Sequence, residues 1–222
     1  MAYSDFSLET LLLTFGLTEE SDRLFPHVMP AEPSDWLQET LRLGLDFGLK
    51  SGSEKARSEF VIAPILLELE RWSQEQQRSP FAIHSGKVLT ADASQGLTGE
   101  CDFILSAGPY TRTIQNPIFA LVEAKKQDLD LGLGPCGAQL LGARLWNQGK
   151  GHNPAVPVWL CHDGQNLALA QVRGRSAHSR PRHLLHPSFT PNSWHFPIPS
   201  PLTSLSFHDS TANPHPRLPS SR

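Results

Sequence analysis

Cysteine is scarce. Cys101, Cys136 and Cys161 are the only three in 222 residues. They are too few and too scattered for a disulfide framework or a zinc site. Long hydrophobic runs are missing too: none reaches the about 18–20 residues a membrane-spanning helix needs, so no membrane association is expected. The opening stretch, MAYSDFSLETLLLTFGL, has no positive leader and no small-residue cleavage site after its apolar run. A reducing, cytoplasmic setting is therefore expected. Positive charge is also short. The formal net charge is -3, and residues 1–172 hold 13 Lys+Arg against 21 Asp+Glu, a balance of -8. That is not the basic footprint of a strong non-specific nucleic-acid binder. With 39% hydrophobic and 18% charged residues, the chain does have the apolar content for one globular core.

The chain divides into three stretches. Residues 1–50 mix an amphipathic segment (Leu8 to Leu17), a Pro-rich connector (Pro26, Pro30, Pro33) and a helix capped by Ser34 or Asp35. Gly44 and Gly48 weaken that helix. A core domain is expected over 51–172. It opens with a helix from Ser53 whose stripe is Phe60, Ile62, Ile65, Leu66 and Leu69; Glu54, Glu59, Glu68, Glu70 and Arg71 fill the rest, with Glu68 and Glu70 read as a solvated face. Pro64 falls inside, which predicts a kink or a break near Ala63. Strands are expected at Phe81–Leu89, Glu100–Ser106, Ile118–Glu123 and Val156–Cys161. A Gly-rich link over 132–135 precedes a helix from about Cys136 to Asn147, rich in small residues that let it lie close to a sheet. The order predicts an α/β fold, a mixed central sheet flanked by helices with at least one crossover. Residues 173–222 hold nine of the 19 prolines, six of the 10 histidines and ten serines, with no periodicity, and read as disordered.

The candidate chemistry sits on two strands. Asp102 opens the apolar run Cys101–Leu105, and Glu123-Ala124-Lys125 closes Pro117–Val122. Each acid occupies an apolar strand context, and the 21-residue separation allows a hairpin. Alternation puts Lys125 on the face of Glu123. Phosphodiester hydrolysis needs an activated water and neutralised phosphate charge, which carboxylate-held Mg²⁺ supplies. Mg²⁺ takes oxygen ligands and keeps several waters. Asp102, Glu123 and the Ala124 carbonyl can provide them, with the Lys125 ammonium orienting water or stabilising developing charge. Other candidates carry less. His84 and His152 lack partners at metal spacing and read as surface or satisfied side chains. His178, His183, His186 and His195 suit only adventitious metal. Cys101 reads as a buried small side chain, and Gly132–Gly137 lacks the Lys-Ser/Thr ending of a phosphate loop. Lys125-Lys126 and Arg144 read as a solvated face able to touch phosphate.

These residues resemble the PD-(D/E)xK nuclease superfamily in its Glu-x-Lys form. SEKARSEFVIAPILLELE resembles the first helix of a group of uncharacterised bacterial proteins with this domain, and faintly the start of the nuclease domain of type I restriction subunits. GLTGECDFIL and FALVEAKKQDLDLGLGPCGAQLLGARLWN resemble the same group, and the likeness spans about residues 1–155. It implies a restriction-endonuclease-like core. Asp102 and Glu123 would bind Mg²⁺, with Mn²⁺ as substitute. Lys125 would be catalytic and Gln139, 14 residues on, would support it from the next helix. A first-helix acid, Glu59 or Glu54, would join the metal set, with Glu59 favoured because the apolar stripe brackets it. The implied partner is nucleic acid, DNA first; a protein partner or a second copy of the chain stays open.

The likeness stops near Val158. Read one base later with free third codon positions, the text beyond permits an alternating strand, a turn and a second alternating strand. The end of the chain is then either out-of-frame translation that truncates the core, or a disordered tail of its own. Three functions follow as expectations: a metal-dependent DNA endonuclease, an inactive interaction module of the same fold in a defence or repair complex, or a damaged pseudogene product.

Overall fold

Serine hydroxyls start three of the helices. Ser7 accepts from the Thr10 amide at 3.1 Å, Ser34 from Leu37 at 3.2 Å and Ser53 from Ala56 at 3.3 Å. Each satisfies one of the amides that a helix start leaves unpaired. The computed structural model describes residues 1–21, 32–125, 129–152, 158–162, 167–173 and 204–209, with side chains described for 1–19, 32–125 and 131–152. A 3₁₀ turn (Tyr3–Asp5) leads to α1 (Leu8–Phe15), which Gly16 ends in the left-handed region at φ 59°. Then come β1 (Leu17–Ser21), α2 (Asp35–Lys50), the short α3 (Glu54–Arg57), a π-turn (Ser58–Ile62) and α4 (Ala63–Glu75). A meander follows: β2 (Phe81–Asp92), β3 (Leu97–Ala107) and β4 (Ile118–Ala124). Helix α5 (Leu129–Gly149) then crosses to β5 (Val158–His162), and β6 (Leu167–Arg173) and β7 (Ser204–Asp209) complete the order.

The sheet is mixed, ordered β1-β7-β6-β5-β4-β3-β2. β4 and β5 run parallel, joined through α5 as expected of a crossover, while β2, β3 and β4 are antiparallel. Alternation splits β3 and β4 between two cores. Ile104 and Leu121 pack with Leu140 and Ala143 of α5 and with Tyr3, Phe6 and Leu11 from the start of the chain. Phe103, Leu105 and Val122 pack on the opposite face with Ile62 and Leu66. α2 adds Leu37 and Leu41 against Val61. Residues 1–50 thus contribute to the core as well as resting on it. Among the described residues, no helix is long and apolar enough to cross a membrane.

Several expectations change. At Pro64 the chain neither breaks nor simply kinks. Proline cannot donate to the Phe60 carbonyl, and the preceding turn widens so that the Ala63 amide bonds Ser58 five residues back. The extra residue re-phases the stripe: Val61 and Ile62 are buried, while Phe60 is 42% exposed. Gly44 then has a positive use, since a Cβ there would lie 2.6 Å from the Phe60 carbonyl oxygen. Glu68 belongs to no solvated face. It is 7% exposed, accepting from the Ser34 amide at 2.8 Å and hydroxyl at 2.9 Å and from Arg71. Burial opposes its charge, but Ser34 and Arg71 outweigh burial and hold it below the usual carboxylate range. Residues 132–135 are helical, with Pro135 inside α5. The small residues of α5 admit the start of the chain: Gly134 meets the Phe6–Leu8 backbone and Gly142 the Tyr3 phenol. Ser204–Asp209, in the stretch read as disordered, is a strand between β1 and β6; Val156, Pro157 and the rest of 174–222 lie outside the described residues.

Candidate functional site

β3 and β4 pair with Phe103 opposite Val122, so the same register sets Asp102 opposite Glu123. Two acids directly across an antiparallel pair repel, and this pair is locked by hydrogen bonds. The Asp102 amide donates to Glu123 Oε1 at 3.2 Å. The Ala124 amide donates to Asp102 Oδ2 at 2.9 Å. Each acid thus accepts from the strand of the other. On β2, the ladder passes from Ser85–Phe103 to Lys87–Cys101. Gly86, opposite Asp102, lies between them in the left-handed region at φ 60°.

Glu123 is 5% exposed. Gln139 of α5 donates to its Oε1 at 2.8 Å, and the Lys125 ammonium lies 3.2 Å from its Oε2. Burial, then the charge of Asp102, pushes the Glu123 carboxyl above its ordinary range; Lys125, Gln139 and the Asp102 amide offset part of this. For Lys125, burial works against the charged form, but Glu123 and then Glu54 overcome it and raise the amine. Asp102, Glu123, Lys125 and Gln139, chosen from the sequence, are therefore brought together. Ala124 is fully buried beside them, its amide used by Asp102.

The first-helix acids separate. Glu54 acts electrostatically on Lys125. Glu59, favoured by the sequence, is half exposed and ion-paired with Lys55 at 2.8 Å. The π-turn explains the difference, because Glu59 lies within it and is carried off the helical phase assumed. His84 is buried and lies 3.1 Å from the Ser106 hydroxyl, with no hydrogen-bond partner for Nδ1 among the described residues. His152 is satisfied by the Gln115 carbonyl at 3.1 Å. The side chains of Lys126 and the four tail histidines lie outside the described residues.

Two neighbours were missed. The Arg57 guanidinium is buried and donates to the Lys125 carbonyl. The Ser58 hydroxyl donates to Asp102 Oδ2 at 3.2 Å. A signal for Arg57 existed: it stands four residues before Val61, on a buried row of the helix.

The donor chemistry fits a hard divalent cation: two facing carboxylates, one of them raised above its ordinary range first by burial and then by the charge of the other, form a like-charge pair that a cation would relieve. Among the described residues nothing donates to Asp102 Oδ1. Also among them, no group of three or more His, Cys, Asp or Glu side chains is placed to hold a metal ion. Compared with known proteins, the chain matches no family model, and no curated protein or solved structure matches it significantly.

Proposed function

We propose that the chain is a divalent-metal-dependent nuclease of the PD-(D/E)xK type, with a restriction-endonuclease-like core, that hydrolyses DNA phosphodiester bonds. The observation that carries this reading is the buried Glu123 carboxylate, facing Asp102 across β3–β4 and gripped by Lys125 and Gln139. Structural ion pairs rarely place two acids opposite each other in an apolar setting; sites that must hold a cation do. Asp102 and Glu123 would hold Mg²⁺ or Mn²⁺, which when bound neutralises phosphate charge and acidifies a water. Gln139 fixes the Glu123 carboxylate by donating to Oε1. The Lys125 ammonium, restrained on Oε2, is positioned to stabilise charge on the scissile phosphate.

One observation favours a second reading, an inactive interaction module. Both Glu123 oxygens already have protein donors, and among the described residues no third acid converges on the pair. Plasmid and oligonucleotide cleavage with Mg²⁺ or Mn²⁺ separates the two. The nuclease reading expects cleavage that Lys125→Ala lowers by about 10²–10³-fold, the usual cost of losing one charge-stabilising donor. A folded wild type that cleaves nothing under either metal removes the nuclease and leaves the module.

A further inference from the structure

One turn of helix reaches the site through three side chains. Glu54 acts on the Lys125 ammonium, Arg57 donates to the Lys125 carbonyl, and Ser58 donates to Asp102 Oδ2. Arg57 is the unexpected member. Arginine is almost never buried without a charged partner, yet Arg57 is 8% exposed. Among the described residues it has no ion pair, and its Nε meets no acceptor. One hydrogen bond to a carbonyl returns much less than the burial of a guanidinium costs. A group held at such a cost does not serve stability, and what it holds is the backbone at the end of β4.

That point of the chain matters because β4 ends at Ala124 and Lys125 lies just beyond it. Among the described residues no strand pairing includes Lys125, so the carbonyl needs another anchor if the ammonium is to stay on Glu123. Arg57 is that anchor. Ser58 acts alike on the other acid: with the Ala124 amide it occupies Asp102 Oδ2 and leaves Oδ1 turned to other use. The π-turn begins at Ser58, and such turns are found often at functional sites, where they re-aim side chains.

We propose that Arg57 is a positioning residue, which holds the Lys125 main chain so that its ammonium stays on Glu123, with Ser58 orienting Asp102. This rests on the nuclease reading for its effect on rate, but not for its effect on Lys125 itself. Two measurements are therefore made on Arg57→Met, which keeps the apolar stem, and on Arg57→Lys, which restores one donor. The first is cleavage by wild type, Arg57→Met, Lys125→Ala and the double variant. The expected result is a kcat lowered about 10–100-fold in Arg57→Met at little change in KM, partial recovery in Arg57→Lys, and a double variant no slower than Lys125→Ala. Losses that multiply in the double variant would overturn the proposal. The second is trace acetylation of lysines with acetic anhydride, read by mass spectrometry without substrate or metal. The expected result is Lys125 labelled several-fold faster in Arg57→Met, with Lys150 unchanged. Unchanged Lys125 labelling in folded Arg57→Met sinks the positioning role, whatever the chain cleaves. A wild type that cleaves nothing, with Lys125 labelling raised in Arg57→Met, removes the nuclease reading and retains the anchor.

Discussion

Glu123 carries a conflict between charge and burial that its neighbours only partly resolve. Its carboxyl lies above the ordinary range, through burial and then Asp102. In that interval the folded chain holds a proton that the unfolded chain has released, so stability falls as pH rises through it. Glu123→Gln removes the titration. Without metal at pH 7.5 the variant should be more stable than wild type by about 1–2 kcal/mol, because it removes a carboxyl that the folded chain ionises less readily than the unfolded chain does. That is a Tm higher by roughly 2–8 °C for a chain of this size. Its stability should also be flatter above the ordinary carboxylate range. Thermal unfolding across pH 4–9 checks this; a variant less stable than wild type at neutral pH would mean that Lys125 fully compensates the charge. The acid pair was legible because an acid stood in an apolar strand twice, at hairpin separation. Arg57 was only half legible: its place on a buried helix row could be read, but the group it holds is a main-chain carbonyl 68 residues on, which no sequence pattern marks.

The elements were read well where hydrophobic period alone decides. The β2–β4 meander and the helix crossing to β5 follow from alternation, turn residues and small side chains. Legibility failed where backbone chemistry overrides period. Pro64 shifted its burden upstream into a π-turn, which put Phe60 outside and moved Glu59 off phase. The same blindness affects glycine, which in a helix reads only as a weak former. Propensity favours alanine over glycine by about 1 kcal/mol at both Gly44 and Gly149. Their surroundings predict opposite signs. A Cβ at Gly44 sits 2.6 Å from the rigid Phe60 carbonyl, while at Gly149 it meets nothing within 4 Å. Gly44→Ala should destabilise by about 1–3 kcal/mol through overpacking, and Gly149→Ala should be neutral or stabilise by up to about 1 kcal/mol. Urea midpoints for the two variants decide it, and equal shifts would show that α2 slides freely over the π-turn.

On the scale of the whole molecule, the first residues are structural. Tyr3 and Phe6 belong to the main core, and α5 opens glycines to receive them: Gly134 at the Phe6 backbone, Gly142 at the Tyr3 phenol. Nothing in a seven-residue stretch announces this, since the two α5 glycines that receive it lie more than 120 positions away. Removal of residues 1–7 should leave an apolar trough along α5 and convert a cooperative thermal transition into a broad one, with raised fluorescence of a hydrophobic dye. A sharp, unshifted transition would assign the trough to other residues. Gly86, described above as the left-handed interruption opposite Asp102, has a consequence on this scale too. β2 forms one outer margin of the sheet, a ribbon of 12 residues, and such margins are where chains begin to stack into fibres. The positive φ at Gly86 interrupts that ribbon, with paired residues on either side of it, and an irregular margin is a poorer template than a flat one. The glycine beside the two acids should therefore make this margin a weaker seed for the growth of one copy onto another.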